Sequence, residues 1–198
     1  MAAEPVNHGR RRFLTASTVV VGGIGGVFAA IPFLAAWTPS ARAVAAGAPV
    51  AVDISKLAVG EQLVVAWRGA PVFVVRRSPE MLSVLAGEKD RLKDPESSEE
   101  GQQPEFARNE YRSLKPDLLV LVGSCTHLGC SPKLHPKTQP EAWDDKWKGG
   151  YYCPCHNSRF DLAGRVYQGS PAPTNLKVPP YRFDGDMRVI IGESQGAA

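Results

Sequence analysis

The pattern of apolar and polar positions divides the chain into one long apolar segment near the N-terminus and a larger region of short apolar segments. No charged residue occurs between Phe13 and Ala41. Within this segment, Thr18–Trp37 has the roughly 20 residues that a helix needs to cross a hydrocarbon core of about 30 Å. Since the apolar core of a cleaved secretory signal is shorter, roughly 7–15 residues, the pattern predicts a retained transmembrane anchor over residues 13–37.

The region from residue 50 to residue 198 has the pattern of an antiparallel β domain. Its many glycines and prolines (19 and 17 in the whole chain) favour turns. Apolar segments bounded by turn residues predict strands, at Val50–Ile54, Leu63–Trp67, Val72–Arg76, Leu118–Val122, Tyr181–Phe183 and Met187–Ile191. Asp184-Gly185, between the last two segments, predicts a two-residue hairpin turn. Residues 50–198 are therefore expected to form a mainly β head domain.

Three further segments of the head have patterns of their own. Ser78 has the position of a helix N-cap, so a short helix is expected after it. Lys93–Gln103 is charged and polar, and is expected to be an exposed loop. Residues 131–152 form a long excursion, which Trp143 and Trp147 are expected to pack down onto the domain.

The residues before the anchor indicate how it is inserted. Arg10-Arg11-Arg12-Phe13-Leu14 looks like a twin-arginine export signal, and the alternative is that these arginines only flank the anchor on its cytoplasmic side. Both interpretations place residues 1–12 in the cytoplasm and send the head across the membrane. Ala41-Arg42-Ala43 has the small-x-small form of a cleavage site, so removal of the leader stays an alternative to its retention.

The linker and the charge add two expectations. Residues 38–49 are rich in Ala, Gly and Pro without apolar periodicity, and predict a flexible hinge linker between anchor and head. The formal net charge of +3 is too small to indicate a nucleic-acid partner. Much of it comes from the three arginines before the anchor, and no basic stripe with interleaved aromatic residues occurs elsewhere.

The cysteines and histidines carry the strongest chemical signal. All four cysteines and two of the four histidines lie in two short segments, which are Cys125-Thr126-His127-Leu128-Gly129-Cys130 and Cys153-Pro154-Cys155-His156. Each segment offers one Cys and one His at ligand spacing, and one further Cys. Two thiolates and two imidazoles can hold a metal centre, and the two remaining cysteines can pair as a disulfide.

This pair of motifs resembles the Rieske iron–sulfur proteins of the cytochrome bc complexes. In that family, one iron of a [2Fe–2S] cluster is bound by two Cys and the other by two His. The resemblance implies these four cluster ligands: Cys125, His127, Cys153 and His156. It also implies a disulfide between Cys130 and Cys155.

The resemblance assigns roles to the residues that follow the second motif. In the family, a Ser two positions after the second His bonds to a bridging sulfide, and here it is Ser158. The Tyr that often follows is Phe160, which has no hydroxyl, so a reduction potential somewhat below that of Tyr-containing relatives is expected. The usual Gly after the second His is Asn157, which tolerates a positive φ better than most residues. The family's covering loop corresponds to Gly169–Pro173, with Ser170 inserted.

Histidine ligation suits this centre to quinol chemistry. Two ferric ions with two sulfides and two thiolates leave a neutral oxidised centre, which accepts an electron more easily than a four-thiolate site does. Potentials of the class lie between roughly −150 and +300 mV. A ligating imidazole keeps a second N–H whose pKa is coupled to the iron oxidation state. One electron and one proton can therefore arrive together, as quinol oxidation requires.

The resemblance implies a Rieske-type antiparallel β-sandwich head, with its cluster-binding part at about residues 123–175. The implied function is that of the electron-transfer subunit of ubiquinol–cytochrome c reductase, an inner-membrane, dimeric complex. The periplasmic head would take an electron from ubiquinol at the cytochrome b subunit and pass it to a c-type cytochrome. His156 and His127 are the expected catalytic residues, and His156 would bond the quinone oxygen. Leu128 is expected to dock into the quinol pocket, with ordinary core packing as its alternative.

Other hypotheses remain for the same residues. A Rieske subunit of another membrane or periplasmic oxidoreductase, such as an arsenite oxidase, would fit the leader and the motifs. An oxygenase-type Rieske ferredoxin is disfavoured, because such proteins lack the two extra cysteines. A structural zinc site has an adequate ligand set but explains neither the leftover cysteines nor Ser158. His135 lacks a Cys at fixed spacing and is expected to be a surface histidine.

Overall fold

The computed structural model describes residues 6–194, which fall into two compact units, one ending at Ala45 and one beginning at Ala46. The first unit is mainly helix α1 (His8–Ala35). The Asn7 side chain caps this helix, because its oxygen accepts a hydrogen bond from the Arg10 N–H at 3.1 Å. With 28 residues, α1 is long and apolar enough to cross a membrane.

Helix α1 begins earlier than the sequence pattern suggested. Arg10, Arg11 and Arg12 were assigned to a separate cytoplasmic segment, but they lie inside the helix. Arginine is a good helix former, and the Asn7 cap fixes the start of the helix ahead of the arginines. Of the proposed segment 1–12, residues 1–5 lie outside the described part of the chain.

The linker also differs from the prediction. Residues 38–49 were expected to be a flexible hinge, but Ala41–Gly47 forms a short helix, α2. Four of its seven residues are alanine, the residue with the highest helix propensity. In addition, the Ser40 hydroxyl accepts a hydrogen bond from the Ala43 N–H at 3.2 Å. The absence of apolar periodicity therefore did not indicate the absence of a helix.

The second unit is built from antiparallel sheets, as predicted. Its described residues form nine strands in three sheets of three strands, with the orders β1-β9-β8, β2-β3-β4 and β5-β6-β7. The strands are β1 (Val50–Asp53), β2 (Gln62–Trp67), β3 (Ala70–Arg76), β4 (Leu118–Val122), β5 (Lys133–His135), β6 (Gly150–Cys153), β7 (Ser158–Phe160), β8 (Tyr181–Phe183) and β9 (Arg188–Ile191). Helix α3 (Pro79–Ser83) and two 3-10 helices (Leu85–Arg91 and Glu105–Ala107) lie between β3 and β4.

The core centres on β3 and β4. Val72–Val75 and Leu118–Leu121 are each at most 2% exposed. The sheet β5-β6-β7 packs on this core, since the Tyr151 ring of β6 stacks on the Phe73 ring of β3 with centroids 5.6 Å apart. Directly after β4, a Cβ atom at Gly123 would overlap the Phe73 ring. Glycine is therefore required where the chain leaves the core for the first cysteine motif.

Packing of the long excursion follows the prediction. Trp147 is fully buried and packs with Leu92 and Tyr167. Trp143 is partly buried against this cluster, and its ring centroid lies 4.5 Å from that of Trp147. The two tryptophans therefore fix the excursion to the head.

The prediction for the loop between the 3-10 helices needs correction. Lys93–Gln103 is not wholly exposed, because Ser97 and Gln102 are buried. The Asn175 side chain donates hydrogen bonds to the Asp94 carbonyl and the Ser97 hydroxyl, at 2.9 and 2.8 Å. The Ser97 hydroxyl thus pairs with a protein group instead of water, which a polarity pattern does not reveal.

The hairpin between β8 and β9 has a longer turn than Asp184-Gly185 indicated. Phe183 pairs with Val189, and the Asp184 N–H donates to the Arg188 carbonyl at 3.0 Å. This register leaves three residues in the turn, where Gly185 has a φ of 67°. The dipeptide located the turn correctly, whereas the pairing of the flanking strands set its length.

Two buried arginines tie the segment after β7 to the core. Arg77 and Arg112 are almost completely buried. Arg112 donates to the Gln103 side chain at 2.8 Å and to the carbonyls of Ala163 and Leu176 at 3.0 and 2.8 Å. Burial lowers the pKa of Arg112 to about 9, so its guanidinium is still charged at neutral pH. One side chain thereby holds the chain at a point before and a point after the loop that follows the second cysteine motif.

We predict that Arg112→Met lowers the free energy of unfolding of the full-length protein by about 3–5 kcal/mol, because three acceptors, two of them fully buried, lose a charged donor. Arg108→Met is the matched control. Arg108 forms an exposed ion pair with Glu105, so its loss is expected to cost less than about 1 kcal/mol. Denaturant titration in detergent measures both variants, and equal losses would contradict the structural role of Arg112.

Candidate metal centre

The first cysteine motif is a closed loop that follows β4. The Cys125 N–H donates to the Cys130 carbonyl at 2.7 Å, and the Gly129 N–H donates to the Cys125 carbonyl at 2.9 Å. Gly129 has a φ of 84°, which suits glycine at the point where the loop turns back. Leu128 at the tip is 70% exposed, so the alternative of ordinary core packing for Leu128 is wrong.

The second motif is the turn between β6 and β7. Cys153 ends β6 and pairs in register with Ser158, which starts β7. The Asn157 N–H donates to the Cys153 carbonyl at 3.0 Å, and Asn157 has a φ of 59°. This is the left-handed conformation for which asparagine is a suitable substitute for glycine. The Asn157 side-chain oxygen also accepts a hydrogen bond from the Tyr152 hydroxyl at 2.5 Å.

A disulfide between Cys130 and Cys155 joins the two loops. It closes a span of 25 residues between two sheets. A bridge over a span of this length typically stabilises a protein by about 2–4 kcal/mol. The sulfur atoms of Cys130, Cys153 and Cys155 also lie within 4.8 Å of one another, but the two bridged cysteines have no thiolate to offer a metal.

The two cysteines outside the disulfide are buried, and the two histidines of the motifs lie together. Cys125 and Cys153 are free thiols, 3% and 1% exposed. The rings of His127 and His156 are nearly perpendicular, with centroids 4.7 Å apart. His127 is partly buried, whereas His156 is exposed. The structure thus places the two thiols next to each other and the two imidazoles next to each other, on two loops that the disulfide joins.

These residues fit a bound cationic group. Burial raises the pKa of the Cys153 thiol, and the neighbouring Cys125 adds to this rise. Two adjacent buried thiolates would repel each other unless a cation lay between them. The Nδ1 atom of His127 is buried and has no hydrogen-bond partner among the described residues. Metal coordination would satisfy that nitrogen, and the set of two sulfur and two nitrogen donors suits a Cys/His-ligated iron–sulfur cluster or zinc.

The segment Gly169–Pro173, called the cover loop below, lies against the second motif. The Ser158 hydroxyl is fully buried and accepts a hydrogen bond from the Ala172 N–H at 3.0 Å. Next to this loop, the Thr126 hydroxyl donates to the Thr174 carbonyl at 2.6 Å. The first motif is therefore tied to the chain just beyond the cover loop, and the second motif to the loop itself.

Several residues near the centre were missed or misjudged from the sequence. Thr126 and Tyr152 belong to the hydrogen-bonded surroundings described above, and no spacing rule identifies them. His135 was expected at the surface, but it is half-buried, with Nδ1 at 3.3 Å from a Glu141 carboxylate oxygen and its ring against those of Trp143 and Tyr152. The aromatic residues of the excursion pack against it and leave 31% of its side chain exposed, a contact that its sequence neighbours do not indicate.

Comparison with known proteins was made on the whole chain. Residues 48–180 match the family model "Rieske [2Fe-2S] domain", and residues 1–40 match "Ubiquitinol-cytochrome C reductase Fe-S subunit TAT signal". The "Ubiquinol-cytochrome c reductase iron-sulfur subunit" of Allochromatium vinosum is 54% identical over 198 residues, 100% of this chain and 95% of that protein. The protein of the same name from Blastochloris viridis is 42% identical over 184 residues, 92% of each chain. A solved structure, "Hyperthermophilic respiratory Complex III", matches 89% of this chain and 98% of that chain, with 24% identity and a TM-score of 0.47.

Fold, site and family match together define a Rieske protein, a one-electron carrier that binds a [2Fe–2S] cluster. Within that class, the chain belongs to the family of ubiquinol–cytochrome c reductase iron–sulfur subunits. The match over residues 1–40 confirms the twin-arginine interpretation of the leader. The alternatives of a zinc protein and of an arsenite oxidase subunit are not supported by these relatives.

Proposed function

We propose that Cys125 and Cys153 bind one iron of the cluster, and that His127 and His156 bind the other. The buried free thiols and the unpaired Nδ1 atom of His127 support this assignment. When bound, the cluster supplies one-electron redox chemistry at a potential that histidine ligation raises. Ser158 is the fifth proposed cofactor-binding residue. Its hydroxyl oxygen accepts a hydrogen bond from the Ala172 N–H, so the hydroxyl hydrogen stays available to donate to a sulfur atom of the cluster.

The observation that carries the functional proposal is the unequal burial of the four ligand residues. Cys125 and Cys153 are almost inaccessible, whereas His156 is exposed and Leu128 projects beside the histidines. A partner molecule can therefore approach only the histidine side of the centre. His156 is the residue that meets a quinol hydroxyl there, accepts a hydrogen bond from it and takes up its proton on the free ring nitrogen. His127, whose ring packs against His156, is the second proposed catalytic residue.

The partners follow from the family and from this exposed end. We assign ubiquinol bound at a cytochrome b subunit as the electron donor and a c-type cytochrome subunit as the acceptor, within a dimeric membrane complex. Burying the exposed Leu128 side chain in the quinol pocket would contribute about 1.5–3 kcal/mol to docking. After docking, the head carries the electron to the cytochrome.

The anchor and its arginines give the orientation in the membrane. Basic residues next to a span favour the cytoplasmic side, and Arg10, Arg11 and Arg12 lie in the first turns of α1. We assign the N-terminus to the cytoplasm and residues 50–198 to the periplasm of an inner membrane. An oxidising periplasm also favours a lasting Cys130–Cys155 disulfide.

The ligand assignment predicts about two iron and two acid-labile sulfide atoms per chain. Cys125→Ser is expected to lose most of the iron, since a buried thiolate ligand is removed. His135→Gln is the control, because His135 lies among aromatic residues of the excursion and is expected to leave the iron content unchanged. Iron and sulfide analysis of the purified proteins measures this. A wild-type protein with zinc and without sulfide would contradict the assignment.

The docking role of Leu128 predicts that Leu128→Ser retains the cluster but lowers the rate of quinol oxidation at least about tenfold, which corresponds to the loss of its apolar burial. Met187→Ser is the matched control, because Met187 is a 60% exposed apolar residue in the β8–β9 turn. Steady-state quinol oxidation by membranes measures both variants. If both variants oxidise quinol at the same rate, Leu128 is not part of the docking surface.

The proposed orientation predicts that protease added to spheroplasts digests the head while the inner membrane is intact. A cytoplasmic protein of the same cells is the control for membrane integrity, and it must remain uncut. Immunoblotting with an antibody against the head follows the digestion. Protection of the head until the membrane is lysed would show the opposite orientation.

A further inference from the structure

A lysine far from both motifs in sequence holds the cover loop. The Lys93 ammonium group donates hydrogen bonds to the carbonyls of Ser170 and Ala172, at 2.6 and 2.8 Å. Both bonds are charge-assisted, which makes them roughly twice as strong as neutral ones. An ammonium group with three hydrogens can bond both carbonyls at once, which a side chain with a single donor cannot do.

These bonds lie on both sides of the peptide group that contacts Ser158. The Ala172 N–H donates to the Ser158 hydroxyl at 3.0 Å, while the Ala172 carbonyl accepts from Lys93. The Ser170 hydroxyl is also engaged, since it accepts from the Arg159 N–H at 3.1 Å. Residues 170–172 are thereby fixed on one side by the strand that follows the second motif, and on the other side by Lys93.

The backbone that carries Lys93 is itself anchored. The Lys93 N–H donates to the Val166 carbonyl at 2.9 Å. Leu92 is buried with Trp147 and Tyr167, and the Asn175 side chain donates to the next carbonyl, that of Asp94. The lysine therefore projects from a rigid base, so that its ammonium group can restrain the cover loop and not merely follow it.

We infer that Lys93 is a positioning residue for the redox centre: it latches the cover loop closed and, through Ala172, fixes the orientation of the Ser158 hydroxyl. The effect on the reduction potential rests on the proposed cluster ligation, whereas the latch itself depends only on contacts within the protein. Lys93 lowers the energy of the reduced centre in two ways. Its positive charge stabilises the electron that the centre takes up on reduction. Through Ala172, Lys93 also keeps the Ser158 hydroxyl hydrogen available for a hydrogen bond to a sulfur atom.

The same segment provides a matched control. Lys89 lies four residues before Lys93 and forms an exposed ion pair with Glu96 at 3.3 Å. Lys89→Met removes one positive charge from this part of the head without touching the cover loop. Lys93→Met removes the charge together with the two hydrogen bonds, and Lys93→Arg keeps a cation with several donors.

The first readout is hydrogen exchange of the Ala172 amide in the full-length protein. In Lys93→Met we expect exchange faster by a factor of about ten or more, the size that loss of a charge-assisted hydrogen bond to a closed loop produces. Lys93→Arg is expected to exchange close to the wild-type rate, and Lys89→Met at the wild-type rate. Unchanged exchange in Lys93→Met would overturn the latch.

The second readout is the midpoint potential from a redox titration. We expect it to fall in Lys93→Met, to be largely restored in Lys93→Arg and to change little in Lys89→Met. Equal shifts of the midpoint potential in Lys93→Met and Lys89→Met would show that only the loss of one positive charge matters, and would overturn the positioning role. A wild-type protein without a cluster would instead refute the proposed function, while the exchange of Ala172 would still decide the latch.

Discussion

The rest of the centre depends on the junction between two loops that leave different sheets. Cys125 follows β4 of one sheet, and Cys153 ends β6 of another. The Cys130–Cys155 disulfide bonds these loops to each other, while the stack of Tyr151 on Phe73 holds the sheets together beneath them. A site whose ligands come from two elements needs such a cross-link, because independent motion of either loop would pull the ligands apart.

The polarity of the centre follows from this construction. Cys125 and Cys153 are buried, whereas His127 is partly buried and His156 is exposed, so the proposed thiolate and imidazole ligands differ in their access to solvent. A buried thiolate side excludes water and partner proteins, and an exposed imidazole side can exchange a proton with a bound molecule. On the proposed ligation, electron and proton transfer would take place on the side of the centre where His156 and Leu128 are exposed. The cover loop, with Lys93 and Ser158 on its two sides, closes the face near the second motif.

The sequence predicted the features that rest on local pattern. Apolar segments predicted β1 to β4, β8 and β9, and the family that the two motifs resemble implied the four proposed ligand residues and the Cys130–Cys155 disulfide. The sheet β5-β6-β7 was missed because its strands have only three or four residues, mix polar with aromatic side chains and, unlike β8, adjoin no Asp-Gly turn. Helix α2 was missed because its alanines have a high helix propensity but form no apolar periodicity, and the prediction relied on periodicity. The contact of Lys93 with Ser170 spans 77 residues, and no local pattern encodes a pairing at that distance.

The most direct test of the proposed redox centre is a low-temperature EPR spectrum of the ascorbate-reduced protein in its native membranes, recorded with and without an inhibitor of the quinol site. We expect a rhombic signal with the low average g value of a Cys/His-ligated [2Fe–2S] cluster, and a shift or broadening of that signal by the inhibitor. The signal without any response to the inhibitor would contradict docking at a quinol pocket. If the protein treated with ascorbate shows no such signal, it does not contain a high-potential [2Fe–2S] centre.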